Sequence, residues 1–254
     1  MLNHRATSFL AILVLLVLAI AHQFVPLWMG WYLLVALLWL GITVYGSFTL
    51  RSNYFLTAVT QGPSTAKKVA ITFDDGPNST YTPQVLQLLA QYNAKATFFC
   101  IGKRLESQID LAKQMVAAGH ELGNHSYSHS WFFDFFGKKR VTNELKRTNA
   151  LVSEVSKQSN DLFRPPYGVT NPAIAKAISE TNNTVVGWNV RSFDTVSKDP
   201  KAVINRLTKK VQPGAIILLH DSHDRIQSIL EHLLLFLQQQ GYEMVTVNEL
   251  LYDS

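Results

Sequence analysis

A parallel-stranded α/β barrel, closed or nearly closed and preceded by two membrane-spanning helices, is the architecture this sequence predicts. Three observations point to it. Residues 1–65 contain no Asp or Glu and only two arginines, Arg5 and Arg51. Beyond them, short apolar runs alternate with helix-periodic segments about seven times, the pattern of a sheet whose crossovers are helices. The first of those runs, residues 69–77, ends in Asp74, Asp75, Gly76 and Pro77. In such folds chemistry gathers at the C-terminal ends of the strands.

The elements follow in order. Residues 6–25 carry only Thr7, Ser8, His22 and Gln23 as clearly polar side chains, and residues 27–48 carry no charge. As helices each would run roughly 30 Å, enough to span a bilayer core. Pro26 separates them, and Trp28, Trp31 and Tyr32 sit near the turn, where interfacial aromatics are expected. Arg5, the apolar run 9–18 and Ala19-Ile20-Ala21 also fit a cleavable signal peptide; a second apolar segment directly behind them favours a hairpin. Arg5 and Arg51 flank the spans while the turn has no Lys or Arg. The positive-inside rule then places the following domain in the cytoplasm; with a single span it would be extracytoplasmic. The chain divides into a hairpin anchor at the inner cell membrane (1–51), a linker (52–66) and an α/β domain (67–254).

Within that domain, residues 69–73 read as a strand buried on both faces. A helix over 83–92 follows, with Thr82 as its cap and Pro83 in its first turn. Strands are expected at 96–101, 121–124, 162–164, 184–190, 215–219 and 243–247. Helices are expected at 105–118, 141–155, 172–179, 201–210 and 225–239, with a last turn at 248–251. From residue 66 onward, 21 Lys plus Arg face 18 Asp plus Glu. That mild excess, without a long basic run, excludes a dedicated nucleic-acid surface. The one cysteine, Cys100, excludes an intrachain disulfide framework and reads as a small buried apolar residue.

Four further groups fall just past strand ends. His125 and His129 follow the third strand. If that stretch is helical, positions i and i+4 share a face, and two imidazoles with the Asp75 carboxylate make a catalytic zinc-type ligand set. Arg164 opens Arg-Pro-Pro-Tyr-Gly; its fork can hold Asp74 in place, and the prolines stiffen the backbone at Tyr167. Leu218-Leu219-His220-Asp221 delivers a histidine able to protonate a leaving group. Asp194, six residues past Trp188, could orient or charge-tune that histidine.

Together TFDDGP (72–77), HSYSH (125–129), RPPYG (164–168), the Trp188-to-Asp194 segment and LLH (218–220) resemble the five motifs of the NodB-homology polysaccharide deacetylases, carbohydrate esterase family four. The resemblance covers nearly all of 66–254, in the family's order. It implies a deformed (β/α)7-type barrel and metal-dependent removal of N-acetyl groups from an amino-sugar glycan, with release of acetate. It implies Asp75, His125 and His129 as metal ligands, most often for zinc, and Asp74 as general base. Tyr167 would supply a backbone N–H to the oxyanion, Trp188 and Leu218 would meet the substrate, and His220 would be the general acid. Arg164 would position Asp74, and Asp194 would partner His220. One motif departs: members often carry Trp after the Asp, where this chain has Thr195, with Arg191 before it, so the pocket wall is expected to differ.

Residues 131–136, Trp-Phe-Phe-Asp-Phe-Phe, precede Gly137 and the cations Lys138, Lys139 and Arg140. They read either as an aromatic core plug or as a lip toward a membrane or a lipid-linked sugar. The expected partners are an N-acetylated glycan, lipid-linked in one version, and the membrane, with no nucleic acid. A catalytically inactive glycan- or metal-binding barrel on a membrane anchor is the alternative; retention of every motif residue speaks against it.

Overall fold

A computed structural model describes residues 3–158 and 161–252. Two helices, α1 (His4–His22) and α2 (Gly30–Phe48), lead the chain. They pack on each other, with Trp39 Nε1 donating to Ser8 Oγ at 3.0 Å. Only Thr7 and Gly46 are buried in them, and most of their apolar side chains are exposed, which a core helix of a soluble domain would not tolerate. Both are long and apolar enough to cross a bilayer.

The strands are β1 (Ala58–Val59), β2 (Lys68–Asp74), β3 (Thr97–Cys100), β4 (Glu121–Asn124), β5 (Leu162–Phe163), β6 (Thr184–Val186), β7 (Val190–Arg191), β8 (Ile216–His220) and β9 (Glu243–Val245). Between them run α3 (Thr82–Gln91), α4 (Gly102–Ser107), α5 (Ile109–Ala117), α6 (Lys138–Ser156), α7 (Pro172–Thr181), α8 (Pro200–Lys210) and α9 (Ile226–Gln239), with α10 (Val247–Tyr252) last. The sheet order is β1-β6-β5-β4-β3-β2-β8-β7, with β9 also on β2, and every ladder is parallel. Only residues 187–189 separate β6 from β7 at the far side of the sheet. The sheet therefore curls into a deformed barrel, joined there by a short connection instead of a full ladder.

Period-two alternation sorts the side chains. In β2, Val69, Ile71 and Phe73 point outward into the core shared with the helices, while Ala70 joins the interior cluster with Phe99, Leu162, Val186 and Ile216. Thr72 and Asp74 continue that interior row to the strand's end. In β8, Ile217 and Leu219 face the outer core, leaving Leu218 and His220 inside.

Four expectations change. Residues 52–66 are not a free linker: β1 extends the sheet beside β6, Gln61 bridges Ala215, and Tyr54 is buried. The single helix expected over 105–118 is broken at Gln108 (φ −130°, ψ 37°) into α4 and α5. The strand expected over 184–190 breaks at Gly187, because the Val186 and Gly187 carbonyls turn to accept from Arg164 at 3.1 and 2.9 Å. Thr82 does not cap α3 but lies in its first turn, where its hydroxyl donates to Asp221 and accepts from the Asn78 N–H.

Candidate active site

The C-terminal ends of β2, β4, β5 and β8 surround a cavity of about 520 Å³. Asp74, Asp75, His125, His129, Tyr167, Trp188, Leu218 and His220 all line it. Arg164 and Asp194 stand behind this wall, fully buried. Ladder register pairs the Asp74 and His220 Cα positions directly, so a carboxylate and an imidazole flank the cavity floor from adjacent strands.

Arg164 is the largest fully buried side chain in the fold. Its Nη1 donates to Asp74 Oδ1 and to Thr72 Oγ1, each at 2.7 Å. Its guanidinium lies 4.1 Å from the Phe99 ring centre. With Val186 O and Gly187 O accepting as well, every edge of the fork is used. Burial pulls the guanidinium below its ordinary pKa, and Asp74 opposes that fall. Asp74, 4% exposed, depends on this partner. Arg164→Met should therefore lower stability by about 3–5 kcal/mol, since it strands a buried carboxylate. Thermal unfolding should show a midpoint lower by roughly 10 °C; an unchanged midpoint would refute the dependence.

Asp75, His125 and His129 offer one ligand atom each, all within 4.8 Å of one another. His125 Nε2 and His129 Nε2 lie 3.6 and 3.4 Å from Asp75 Oδ1. Ligands about 2.1 Å from a tetrahedral ion stand about 3.4 Å apart, so the cluster is dimensioned for a cation. The chemistry of the donors agrees. His125 Nδ1 donates to Arg164 O at 2.7 Å, which leaves the Nε2 lone pair facing Asp75, the orientation typical of a metal-bound imidazole. Burial, then His125, pushes the His129 imidazolium down to about 4, so that ring also offers a lone pair.

The two histidines are not on a helix, as i, i+4 spacing suggested. His125 leaves β4 in the interior row, and Ser126 (φ 62°) and His129 (φ 46°) take left-handed backbone that folds the loop back. Glu144 of α6 clamps it, accepting from the Tyr127 and Ser128 N–H groups at 3.0 and 2.7 Å and from Ser128 Oγ at 2.9 Å. Asp75 (φ 75°) and Tyr167 (φ 58°) share the left-handed region; such strain concentrates at functional sites. Gly168 follows Tyr167 at φ 71°, and a Cβ there would stand 2.6 Å from Trp188 Cη2, so this turn needs glycine twice over.

Asp194 gathers two imidazoles. Its Oδ1 receives His220 Nδ1 at 2.8 Å and Ser192 Oγ at 2.7 Å. Its Oδ2 receives the His220 N–H at 2.8 Å and faces His223 Nε2 at 3.2 Å. Burial alone would raise this carboxyl, but the bonds from His220 and His223 hold it well below the usual carboxylate range. Burial would likewise lower the His220 imidazolium, yet Asp194 holds it up to about 9. His220 thus turns Nε2, protonated at neutral pH, toward the cavity.

His223 and Glu144 were not singled out from sequence. His223 lies before α9 and faces Asp194. Only its spacing of three from His220 signalled this; Glu144 left no signal. Asp221 is fully buried, and burial raises its carboxyl to about 6 despite the Thr82 hydroxyl. Cys100 is buried as expected, with burial, then Asp221 and Asp74, pushing its thiol up. At the position where the resemblance implied Trp, Thr195 and Val196 line the cavity beside Phe193, over which Arg191 lies at 4.6 Å.

Residues 61–186 match the family model described as polysaccharide deacetylase. A peptidoglycan-N-acetylglucosamine deacetylase of Bacillus cereus is 40% identical over 194 residues, which are 74% of this chain and 90% of that protein. A second, from Listeria monocytogenes, is 34% identical over 73% of this chain but only 39% of its own length. Among solved structures, a peptidoglycan N-acetylglucosamine deacetylase superposes with a TM-score of 0.72 at 29% identity, covering 76% of this chain and 92% of the other. A CE4 family pseudoenzyme from Bacillus anthracis superposes at 0.70 and 27% identity, over 76% and 68%.

Proposed function

The chain belongs to the polysaccharide deacetylase family, and from that premise we propose that it is a metal-dependent hydrolase removing N-acetyl groups from an amino-sugar glycan of the peptidoglycan type. The observation that carries this reading is the placement of Asp74 and His220 as register partners in the same cavity wall as the Asp75, His125 and His129 cluster. A pseudoenzyme of the same fold needs neither group; here both are present, and each is held by a buried partner of opposite charge.

A divalent cation, zinc by the imidazole–carboxylate donor set, would sit between Asp75, His125 and His129 and act as a Lewis acid toward water and the amide carbonyl. Asp74 has one oxygen fixed by Arg164 and turns the other, Oδ2, toward the cavity, 3.8 Å from His125 Nε2. It takes a proton from the attacking water. The Tyr167 backbone N–H donates to the carbonyl oxygen as it gains charge. His220 Nε2 gives its proton to the departing sugar nitrogen, the C–N bond breaks, and acetate and a free amine result. Trp188 and Leu218 pack against the acetyl group.

Acetate release by the full chain from N-acetylated chito-oligosaccharides and from peptidoglycan tests this directly. Prior chelation should abolish release, and stoichiometric zinc should restore it. Full activity in verified metal-free protein would remove the cation from the reading. No release from any N-acetylated glycan, with metal bound, would leave an inactive barrel.

We further assign α1 and α2 as a retained membrane anchor, with 52–66 joined to the barrel. Peptidoglycan lies outside the cell, whereas Arg5 and Arg51 bias the domain inward. Two arginines are a small bias against the substrate class of the relatives, and we assign the domain to the outer face on that ground. An alkaline phosphatase fused at the C-terminus should be active; an inactive fusion would instead favour a lipid-carrier-linked sugar met on the inner leaflet.

A further inference from the structure

The segment between the histidine loop and α6 takes no part in the chemistry above. Its short turn, Phe133–Phe135, is a 3-10 helix with about three residues per turn, so residues three apart share a side. Phe133 and Phe136 point inward, in one core cluster with Leu50. Phe132 and Phe135 point outward, 70% and 86% exposed, and Trp131 beside them is 83% exposed. A contiguous aromatic patch of this kind marks an interaction surface. The one acid in the segment, Asp134, turns its Oδ1 into the interior. Lys138, Lys139 and Arg140 follow, all exposed. Lys138 pairs with Glu180 at 2.8 Å, and Arg140 lies 3.5 Å from the Phe136 ring centre.

The turn that carries this patch is tied to the base of the helical hairpin. The Thr170 N–H donates to Ser47 O, in the last turn of α2, at 3.0 Å. Asn171 Nδ2 donates to Asp134 O at 2.7 Å. Two consecutive residues therefore tie the end of α2 to the aromatic turn, bringing the two carbonyls within about 14 Å. Phe48, the last residue of α2, is itself 70% exposed. Trp131 stacks on Tyr167 with ring centres 5.8 Å apart and lines the cavity. Hairpin base, aromatic patch and cavity rim thus share one face of the barrel.

Resting on the assignment of α1 and α2 as membrane-spanning, we infer that Trp131, Phe132 and Phe135, with Lys139 and Arg140, form a second membrane contact that seats the cavity mouth at the bilayer surface. Aromatic rings partition into the interfacial layer, and the adjacent cations meet anionic headgroups. A second copy of the chain fits the patch less well, since a two-fold contact would bring the same cations face to face. The site then works on glycan within reach of the membrane, and the patch fixes the height and tilt of the barrel that the hairpin alone leaves free.

The test uses the full chain in proteoliposomes containing phosphatidylglycerol. An environment-sensitive fluorophore is placed at Phe135→Cys or, separately, Phe132→Cys; Cys100 is fully buried and stays. Lys113→Cys, on the exposed side of α5, is the control. Nitroxide lipids should quench the labels at 132 and 135 several-fold more than the label at 113, while aqueous iodide should quench them less. Lys139→Glu should weaken the lipid quenching, more so with phosphatidylglycerol present than with phosphatidylcholine alone. Equal lipid and iodide quenching at all three positions would overturn the inference. So would protection from iodide without lipid quenching, which identifies a second protein copy as the cover. Neither readout depends on acetate release, so either result leaves the catalytic reading untouched.

Discussion

Asp74→Asn should lower acetate release by about 10²- to 10⁴-fold, the usual worth of a positioned general base. The asparagine keeps the shape of the side chain, and its carbonyl can still accept from Arg164. It cannot take a proton from water. Arg164 keeps its bonds to Thr72 Oγ1, Val186 O and Gly187 O, so the barrel should still fold, at some cost in stability from the unpaired buried charge. The loss should appear in kcat, with KM for a chito-oligosaccharide little changed, because the interaction removed exists only in the transition state. Asp74→Asn turning over at the wild-type rate would require another base.

His220→Ala should cost a similar factor, about 10²- to 10⁴-fold, for a different reason. An amide leaves as an amine only once its nitrogen is protonated. The penalty should therefore shrink on an activated aryl acetate, whose leaving group departs unprotonated; an equal penalty on both would contradict the role. The pH profile adds a second readout. Burial would lower the His220 imidazolium, but Asp194 raises it to about 9, with Asp74 and Asp75 adding. Because the folded value lies above the ordinary one near 6.5, the ion pair stabilises fully below about pH 6.5 and its contribution is lost as pH rises through about 9. The acid is present over the same range, so the rate should fall on the alkaline side no higher than about 9. A cation held by Asp75 would move that limb lower, since positive charge disfavours an imidazolium. Asp194→Asn should shift the limb down further, whereas a merely structural Asp194 would change the rate without moving it.

The chain displays these groups openly because apolar strands and strand-end chemistry are both local in sequence. Residues 69–73 and 215–219 are apolar enough to be recognised as strands, and the residues that end them, Asp74 and His220, land inside the barrel by alternation alone. The pairing of Asp74 with Arg164 across 90 positions was also legible, since a buried fork and a buried carboxylate require each other. Loop geometry was not. The His125–His129 spacing suggested a helix, yet the loop closes through left-handed Ser126 and His129 and the remote Glu144. Residues 58–59 carry no strand signal of their own; β6 templates them. Gly187 interrupts a β-branched run because Arg164 takes its carbonyl, a long-range demand invisible to local propensity. Residues 131–136 joined both readings, core and surface, because a 3-10 turn alternates them three apart.

The division of labour between two adjacent carboxylates is the centre of this account. Equilibrium dialysis of zinc against metal-stripped Asp74→Asn and Asp75→Asn tests it most directly, with acetate release measured on the same samples. Asp74→Asn should bind one ion about as tightly as the wild type and turn over almost nothing, while Asp75→Asn should bind far more weakly. Equal binding by the two variants, or loss of the ion in Asp74→Asn with retention in Asp75→Asn, would contradict it.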